Sequence, residues 1–415
     1  MNWLQSYLYF GAAYGDLATE GALLLAGVEC SDQRRWAATA SEQQLVRRGV
    51  ECLRRVAREA LSGNDGGTNA VQLSGGFDSR AVLGALLDNV DSAQVVAVTW
   101  GTPGSPDYEV PVKLTRFAGI RHERFDATSV EWNAESIVCF VRAELSRLPA
   151  PTVIERYIVY SARRRLGTDP VFWSGFLGGT TAGSHLPEKP SEDWNRAVDH
   201  FLAHNRESRS CSLESPGWDP RSVLPHQPIV DPSCVGIDDQ LGFAGRQSFR
   251  IASPWSAFRE QHLFGQPAWM SFMLSVPHVH RNRSMRLYRR ILYEAYPKLF
   301  KFPIQGNYGL PGNASTPRRF ISRVVHRSRR RFERITGSIS TVADVQKIDY
   351  ARAFRSKTDY AKLHHSLLMD LASRNLVPHL DIEGIWNDHV SGRANHARAV
   401  RVLTSLEVNL RAMAE

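Results

Sequence analysis

The sequence predicts an α/β protein, a doubly wound parallel sheet followed by a mostly helical C-terminal half. Three observations predict it. Short apolar runs end in glycine-rich turns at 70–73, 94–100 and 170–173. Helical periodicity fills the gaps between them. Beyond residue 247 helical patterns recur without further apolar β-rich runs.

The elements follow in order. Leu45, Val50, Leu53, Val56 and Leu61 fall roughly on one face, so 41–62 reads as a helix, and GNDGG at 63–67 breaks it. After the first strand Val82, Leu83, Leu86 and Leu87 recur at helical spacing. After the second, Val110, Leu114 and Phe117 do so, and Gly119 is the expected C-cap. Ile154, Ile158 and Leu166 predict a helix before the third strand. Residues 187–247 are rich in Pro, Ser and charge and read as the least regular stretch. Helices are expected again at 267–275, 284–296, 359–373 and 394–411, with 306–317 a loop.

Composition narrows the function classes. A chain of 415 residues exceeds one core of usual size, so a large domain with an accessory part is expected. Hydrophobic residues are 43% and charged residues 22%, which excludes wholesale disorder. No apolar run reaches a membrane span, and the first twenty residues lack a basic secretory n-region. Five scattered cysteines without a C-x-x-C pair argue against disulfides or a Cys₄ zinc site and favour the cytoplasm. The net charge of +9 is uneven. Segment 318–334, from Arg318 to Arg334, holds eight arginines and one acid, and the rest is nearly neutral. That argues against a nucleic-acid-binding protein and makes the segment a candidate surface for an acidic partner.

The chemistry concentrates in QLSGGFDSRAVLGALL at 72–87. A strand ends at Leu73, Ser74-Gly75-Gly76-Phe77-Asp78-Ser79 turns, and a helix starts near Arg80. Two glycines let the backbone approach an anion, the helix start directs N–H groups at it, and Ser74 and Ser79 add hydroxyls. Asp78 would repel a bare phosphate, so a divalent cation is expected to share the site. The loop lacks the lysine and spacing of a Walker A motif.

S-G-G-x-D-S resembles the signature of the PP-loop ATP pyrophosphatases. The chain resembles more specifically the synthetase domain of the asparagine synthetase family, whose relatives include β-lactam synthetases and lasso-peptide cyclases. TWGTPGSPDYE (99–109), FWSGFLGGTTAGSH (172–185), FMLSVPHVHR (272–281), AYPKLFKFPIQGNYGLP (295–311) and DHVSGRANHARAVRVLTSLEVNL (388–410) resemble family segments in the right order. The resemblance implies an adenine-nucleotide α-hydrolase-like fold and the cofactors ATP and Mg²⁺. It implies an ATP-dependent ligase that activates a small-molecule or peptide carboxylate as an acyl-adenylate, for attack by an amine or by ammonia from a separate donor. It also implies that Leu73, Ser74, Gly75, Gly76, Asp78 and Ser79 hold ATP, with Asp78 on the metal. Trp100 would meet adenine, Ser174 and Gly175 the ribose and α-phosphate, and Asp107 would be a polar contact or a helix N-cap.

The sequence departs from the family in four places. Asn2 follows Met1 where the family's glutaminase nucleophile is a cysteine, so residues 1–40 read as the remnant of that domain, 41–415 as the synthetase-like domain, and no glutaminase activity is expected of this chain. Gly179 and Thr180 replace the family's second acid pair, and Phe176 stands where many members have an acid. Gln305 replaces its lysine. A preorganised cation there is worth about 3–4 kcal/mol in the transition state. Lys301, four residues earlier, is the substitute the sequence offers. Asp78 and Lys301 are thus the catalytic candidates. A catalytically degenerate nucleotide-binding homologue and an RNA-modifying PP-loop enzyme are the alternatives. His200 and His204 at i, i+4 lack the zincin glutamate, and His122 reads as structural.

Overall fold

The chain's computed structural model describes residues 2–29, 31–62, 67–145, 148–247, 255–305, 310–312, 314–315, 317–318, 320–325, 328 and 348–414. Helices α1 (Asn2–Phe10), α2 (Leu17–Leu25), α3 (Ser31–Thr39) and α4 (Glu42–Leu61) come first. α4 follows its sequence closely. Leu45, Gly49, Cys52, Leu53, Val56 and Ala57 form its buried stripe. Ser41 and Gln44 close a reciprocal capping box at its start.

The sheet comprises β1 (Asn69–Gln72), β2 (Val95–Gly101), β3 (Arg121–Asp126), β4 (Val171–Ser174) and β5 (Arg259–His262). All pairs are parallel and the order is β3-β2-β1-β4-β5. The crossovers carry α5 (Asp78–Asn89), α6 (Pro106–Ala118), α7 (Ala134–Glu144) and α8 (Val153–Arg164). Strand periodicity divides the apolar residues between two faces. Val71, Val95, Ala97 and Trp173 pack with residues of α4 and α5. Ala70, Val96, Val98 and Phe172 pack with Ile158 and Ala162 of α8. The three strands expected at 70–73, 94–100 and 170–173 thus appear within about one residue, and Gly119 caps α6 with φ of 66°.

β3 and β5 did not show in the sequence, because both are edge strands. Arg121–Asp126 buries little beyond Phe125, and Arg259–His262 alternates exposed and half-buried residues. An edge strand needs one ladder partner and no continuous apolar run.

After β4 come α9 (Gly178–Thr181), α10 (Trp194–Asn205), α11 (Ile237–Arg246), α12 (Pro267–Ser275), α13 (Arg286–Ala295), α14 (Tyr350–Arg355), α15 (Asp359–Ser373), α16 (Ile382–Val390) and α17 (Ala397–Met413). The helices expected at 267–275 and 359–373 match α12 and α15 end to end. The stretch expected to be irregular, 187–247, contains α10 and α11. α10 buries Trp194, Ala197, Val198 and Phe201 at helical spacing within a polar composition.

The first forty residues share the cores of the rest. Leu25 and Ala37 join the cluster under the sheet, and Leu4, Tyr7 and Leu8 join the C-terminal helices. Among the described residues no helix is long and apolar enough to cross a membrane.

Candidate functional site

The strand order fixes where a site can form. The chain runs outward from β1 through β2 to β3, then returns to lay β4 on the other side of β1. Loops leaving β1 and β4 therefore diverge, and a crevice opens at their carboxyl ends. Both glycine-rich segments leave the sheet there.

Leu73 continues the β1 ladder, its N–H donating to Val98 O at 2.9 Å. Thr99 Oγ1 donates to Leu73 O at 2.9 Å, and the His122 ring bridges Thr99 and Thr115. Burial drives His122 down to about 4, so it stays neutral and ties β3 to β2 and to α6, in keeping with a structural role.

The loop then folds on itself. Ser74 N–H donates to Ser79 Oγ at 3.1 Å, the two hydroxyls lie 3.0 Å apart, and Gly76 N–H donates to Ser74 Oγ at 3.2 Å. Gly75 N–H donates to Asp107 Oδ1 at 2.9 Å, and Gly75 O accepts from Gln305 N–H at 3.1 Å. A Cβ on Gly75 would sit 3.1 Å from Pro106 O and 3.3 Å from Gln305 Cβ, a tighter fit than most side chains meet. Asp107 is not the N-cap of α6. Ser105 holds that position, and Asp107 in the first turn ties α6 to the loop.

Asp78 opens α5, whose N-terminus has no side-chain cap. Tyr288 Oη donates to Asp78 Oδ1 at 2.6 Å, and Gly179 N–H donates to the same carboxylate. Burial lifts the carboxyl to about 6, against the opposing pull of Tyr288, Gly179 and the Arg289 charge. The loop after β4 wraps this group tightly. A Cβ on Gly175 would lie 2.7 Å from Asp78 Cβ, and one on Gly178 would lie 2.6 Å from Asp78 Cγ. Leu177 between them is left-handed at φ of 67°, a strained state for a bulky residue.

Leu73, Ser74, Asp78, Ser79, Trp100, Ser174 and Gly175 line one cleft of about 200 Å³, with Gln72, Val98 and Phe176. Gly75, Gly76 and Asp107 shape the loop from behind. Lys301 is exposed and is not among the residues that line the cleft. Position 305, by contrast, touches the loop and carries a neutral Gln305. Thr180 Oγ1 accepts from Gln247, and Thr181 Oγ1 donates to Leu177 and Gly178 carbonyls. Both hydroxyls are thus engaged away from Asp78.

Two contributors did not stand out in the sequence. Tyr288 lies on the apolar stripe of α13 and looks like core. Arg80 is fully buried and donates to the carbonyls of Leu299 (3.1 Å), Phe302 (3.0 Å) and Pro303 (2.6 Å). It carries segment 299–305 to the loop. The His200 and His204 rings lie 4.2 Å apart and tilted by 37°, with His204 Nδ1 against the His200 backbone carbonyl, a packing arrangement and not a chelate.

The residues fit a nucleotide. Glycines stand where any side chain would fill the cradle, two hydroxyls face the cleft, and the uncapped start of α5 adds N–H groups. They fit Mg²⁺ only in part. Among the described residues Asp78 is the one carboxylate lining the cleft, and no three of His, Cys, Asp or Glu gather. One carboxylate plus phosphate oxygens is an ordinary protein share for Mg²⁺, so Asp78 would hold the ion together with the nucleotide.

Most of segment 318–334 lies outside the described residues, and of it Phe320, Ile321, Val324 and Val325 are exposed. The chain matches no protein-family model, and no curated protein matches it.

Proposed function

We propose that the chain is an ATP-dependent carbon–nitrogen ligase of the asparagine synthetase type. A substrate carboxylate attacks the α-phosphate of ATP, pyrophosphate leaves, and an amine or ammonia then displaces AMP from the acyl-adenylate. The observation that carries this reading is the convergence of Ser74, Asp78, Ser79, Trp100, Ser174 and Gly175 on one cleft at the carboxyl ends of β1 and β4. Phosphates belong at the glycine loop and the α5 N-terminus, and Asp78 would bring the Mg²⁺. Carboxylate-dependent ATP–pyrophosphate exchange tests it. Exchange should appear with a cognate carboxylate and vanish in Asp78→Ala. Wild-type protein that binds ATP yet forms neither AMP nor pyrophosphate with a broad carboxylate panel overturns it.

A second reading, nucleotide binding without turnover, is favoured by Gln305 at the loop and by the engaged hydroxyls of Thr180 and Thr181. Under it calorimetry gives ATP binding without products. Gly179→Asp with Gln305→Lys then creates exchange activity, a preorganised cation alone being worth about 3–4 kcal/mol.

A further inference from the structure

Single apolar side chains on a protein surface are ordinary, whereas a group of them marks a contact. Among the described residues most exposed large apolar side chains, such as Leu23, Phe117 and Val279, stand alone in the sequence. Phe320, Ile321, Val324 and Val325 do not: they crowd into one short stretch, each 44–65% exposed.

Residues 320–325 are helical. At 3.6 residues per turn the four apolar positions fall on one arc of about 140°. Arg318 and Arg323, both exposed, stand at its two borders. Ser322, on the opposite side, is the half-buried residue of the stretch, so the apolar arc turns away from the body of the protein. Upstream, Gly312 N–H donates to Phe300 O at 2.9 Å and Ala314 is buried, which anchors the entry to this helix beside segment 299–305.

The charge of the segment is nearly all of one sign, eight arginines and one acid over 318–334. An acidic polypeptide or a nucleic-acid backbone would answer the arginines and leave the aliphatic side chains in water. The surface of an anionic bilayer meets both demands. Its headgroups attract guanidinium groups, and the boundary of its acyl chains receives the apolar arc. Arginines at the borders of the arc can reach back to the headgroups on their long stems while the apolar side chains go deeper.

We propose that the apolar arc of 320–325, with Arg318 and Arg323 at its borders, lies on the surface of an anionic phospholipid bilayer and holds the protein there. The attachment is peripheral and does not depend on the ligase reading.

Flotation of the full chain with vesicles tests it. Phosphatidylcholine vesicles containing about 30% phosphatidylserine, at about 0.1 M salt, should hold the protein at least about tenfold more tightly than phosphatidylcholine alone. Phe320→Ser with Ile321→Ser keeps every arginine and should weaken that binding at least about tenfold. Arg318→Gln with Arg323→Gln keeps the apolar arc and should also weaken it at least about tenfold. All four residues are exposed, so folding is not at risk. Equal binding to the two kinds of vesicle, or no binding to the anionic kind, overturns the assignment. So does binding that either pair of substitutions leaves unchanged, since the arc and the charge must act together. Soluble polyglutamate and polyuridylate are the competing probes: wild-type protein that binds one of them but not the anionic vesicles uses the segment for an acidic polypeptide or for RNA, and the bilayer is excluded.

Discussion

Asp78→Asn removes one buried charge and keeps the side chain's shape, and its effect on stability can be worked from the structure. Burial lifts the folded carboxyl from 3.8 to about 6. In the unfolded chain it returns to its ordinary value. Below pH 4 the group is protonated in both states and costs nothing. Between about 4 and 6 the folded state keeps a proton that the unfolded state has lost, so wild-type stability falls as pH rises. Above 6 both states are ionised and the penalty is constant. About two pKa units correspond to roughly 3 kcal/mol, an upper bound because Asp78 keeps some exposure on the cleft side. Asparagine has no charge to bury, and its Oδ1 can still accept from Tyr288 and Gly179. Ligand-free Asp78→Asn should therefore be about 1–3 kcal/mol more stable than wild type at pH 8, with the gain shrinking to near zero by pH 4. Urea midpoints at pH 4.5, 6 and 8 measure it. A loss of stability at pH 8, or a gain that is the same at all three values, refutes the reasoning. The same substitution should abolish Mg-ATP binding, because the site holds a destabilising charge for its use.

Three further outcomes follow from the same cluster. Tyr288→Phe removes a donor that favours the ionised form, so the Asp78 pKa should rise by about 1–2 units in a carboxyl-carbon NMR titration; an unchanged or lowered midpoint refutes the assignment. Arg80→Met leaves the carbonyls of Leu299, Phe302 and Pro303 without their shared buried donor, and should cost roughly 3–5 kcal/mol in urea denaturation. Gly178→Ala drives a methyl to 2.6 Å from Asp78 Cγ and should weaken Mg-ATP binding at least about tenfold, whereas Gly67→Ala, which meets open space, should not.

Central strands were legible because their surroundings leave no choice. Residues 70–73, 94–100 and 170–173 lie at the middle of a sheet covered on both faces, so nearly every side chain must be apolar. β3 and β5 answer to one neighbour each, and their sequences, RHERFD and REQH, are set by solvent and by single pairs such as Arg163 of α8 with Glu260. α10 and α11 hid for a related reason. They bury stripes against each other, α11 packs on α2 as well, and polar residues fill the remaining circumference. Local composition reports the exposed majority of such helices and not the stripe that holds them.

At the site the same division separates backbone from partner. The turn within the glycine loop was legible because its own bonds are local: Ser79 answers Ser74 five residues back and Gly76 N–H donates to Ser74 Oγ. What surrounds Asp78 arrives from far along the chain. Tyr288 is 210 residues away and Arg80 reaches carbonyls 219 to 223 residues ahead. Neither residue type announces such a role, since a tyrosine on an apolar helix face packs far more often than it bonds a carboxylate. Yet the pairing changes the chemistry that the loop alone suggests. With an acid at position 179 or 180, Asp78 would be held ionised by sharing a metal. With Gly179 there, its backbone N–H and the Tyr288 hydroxyl hold and orient the carboxylate. Those two donors fix the geometry of Asp78, and glycine at 175 and 178 leaves it room, since a Cβ at either position would come within 2.7 Å of it.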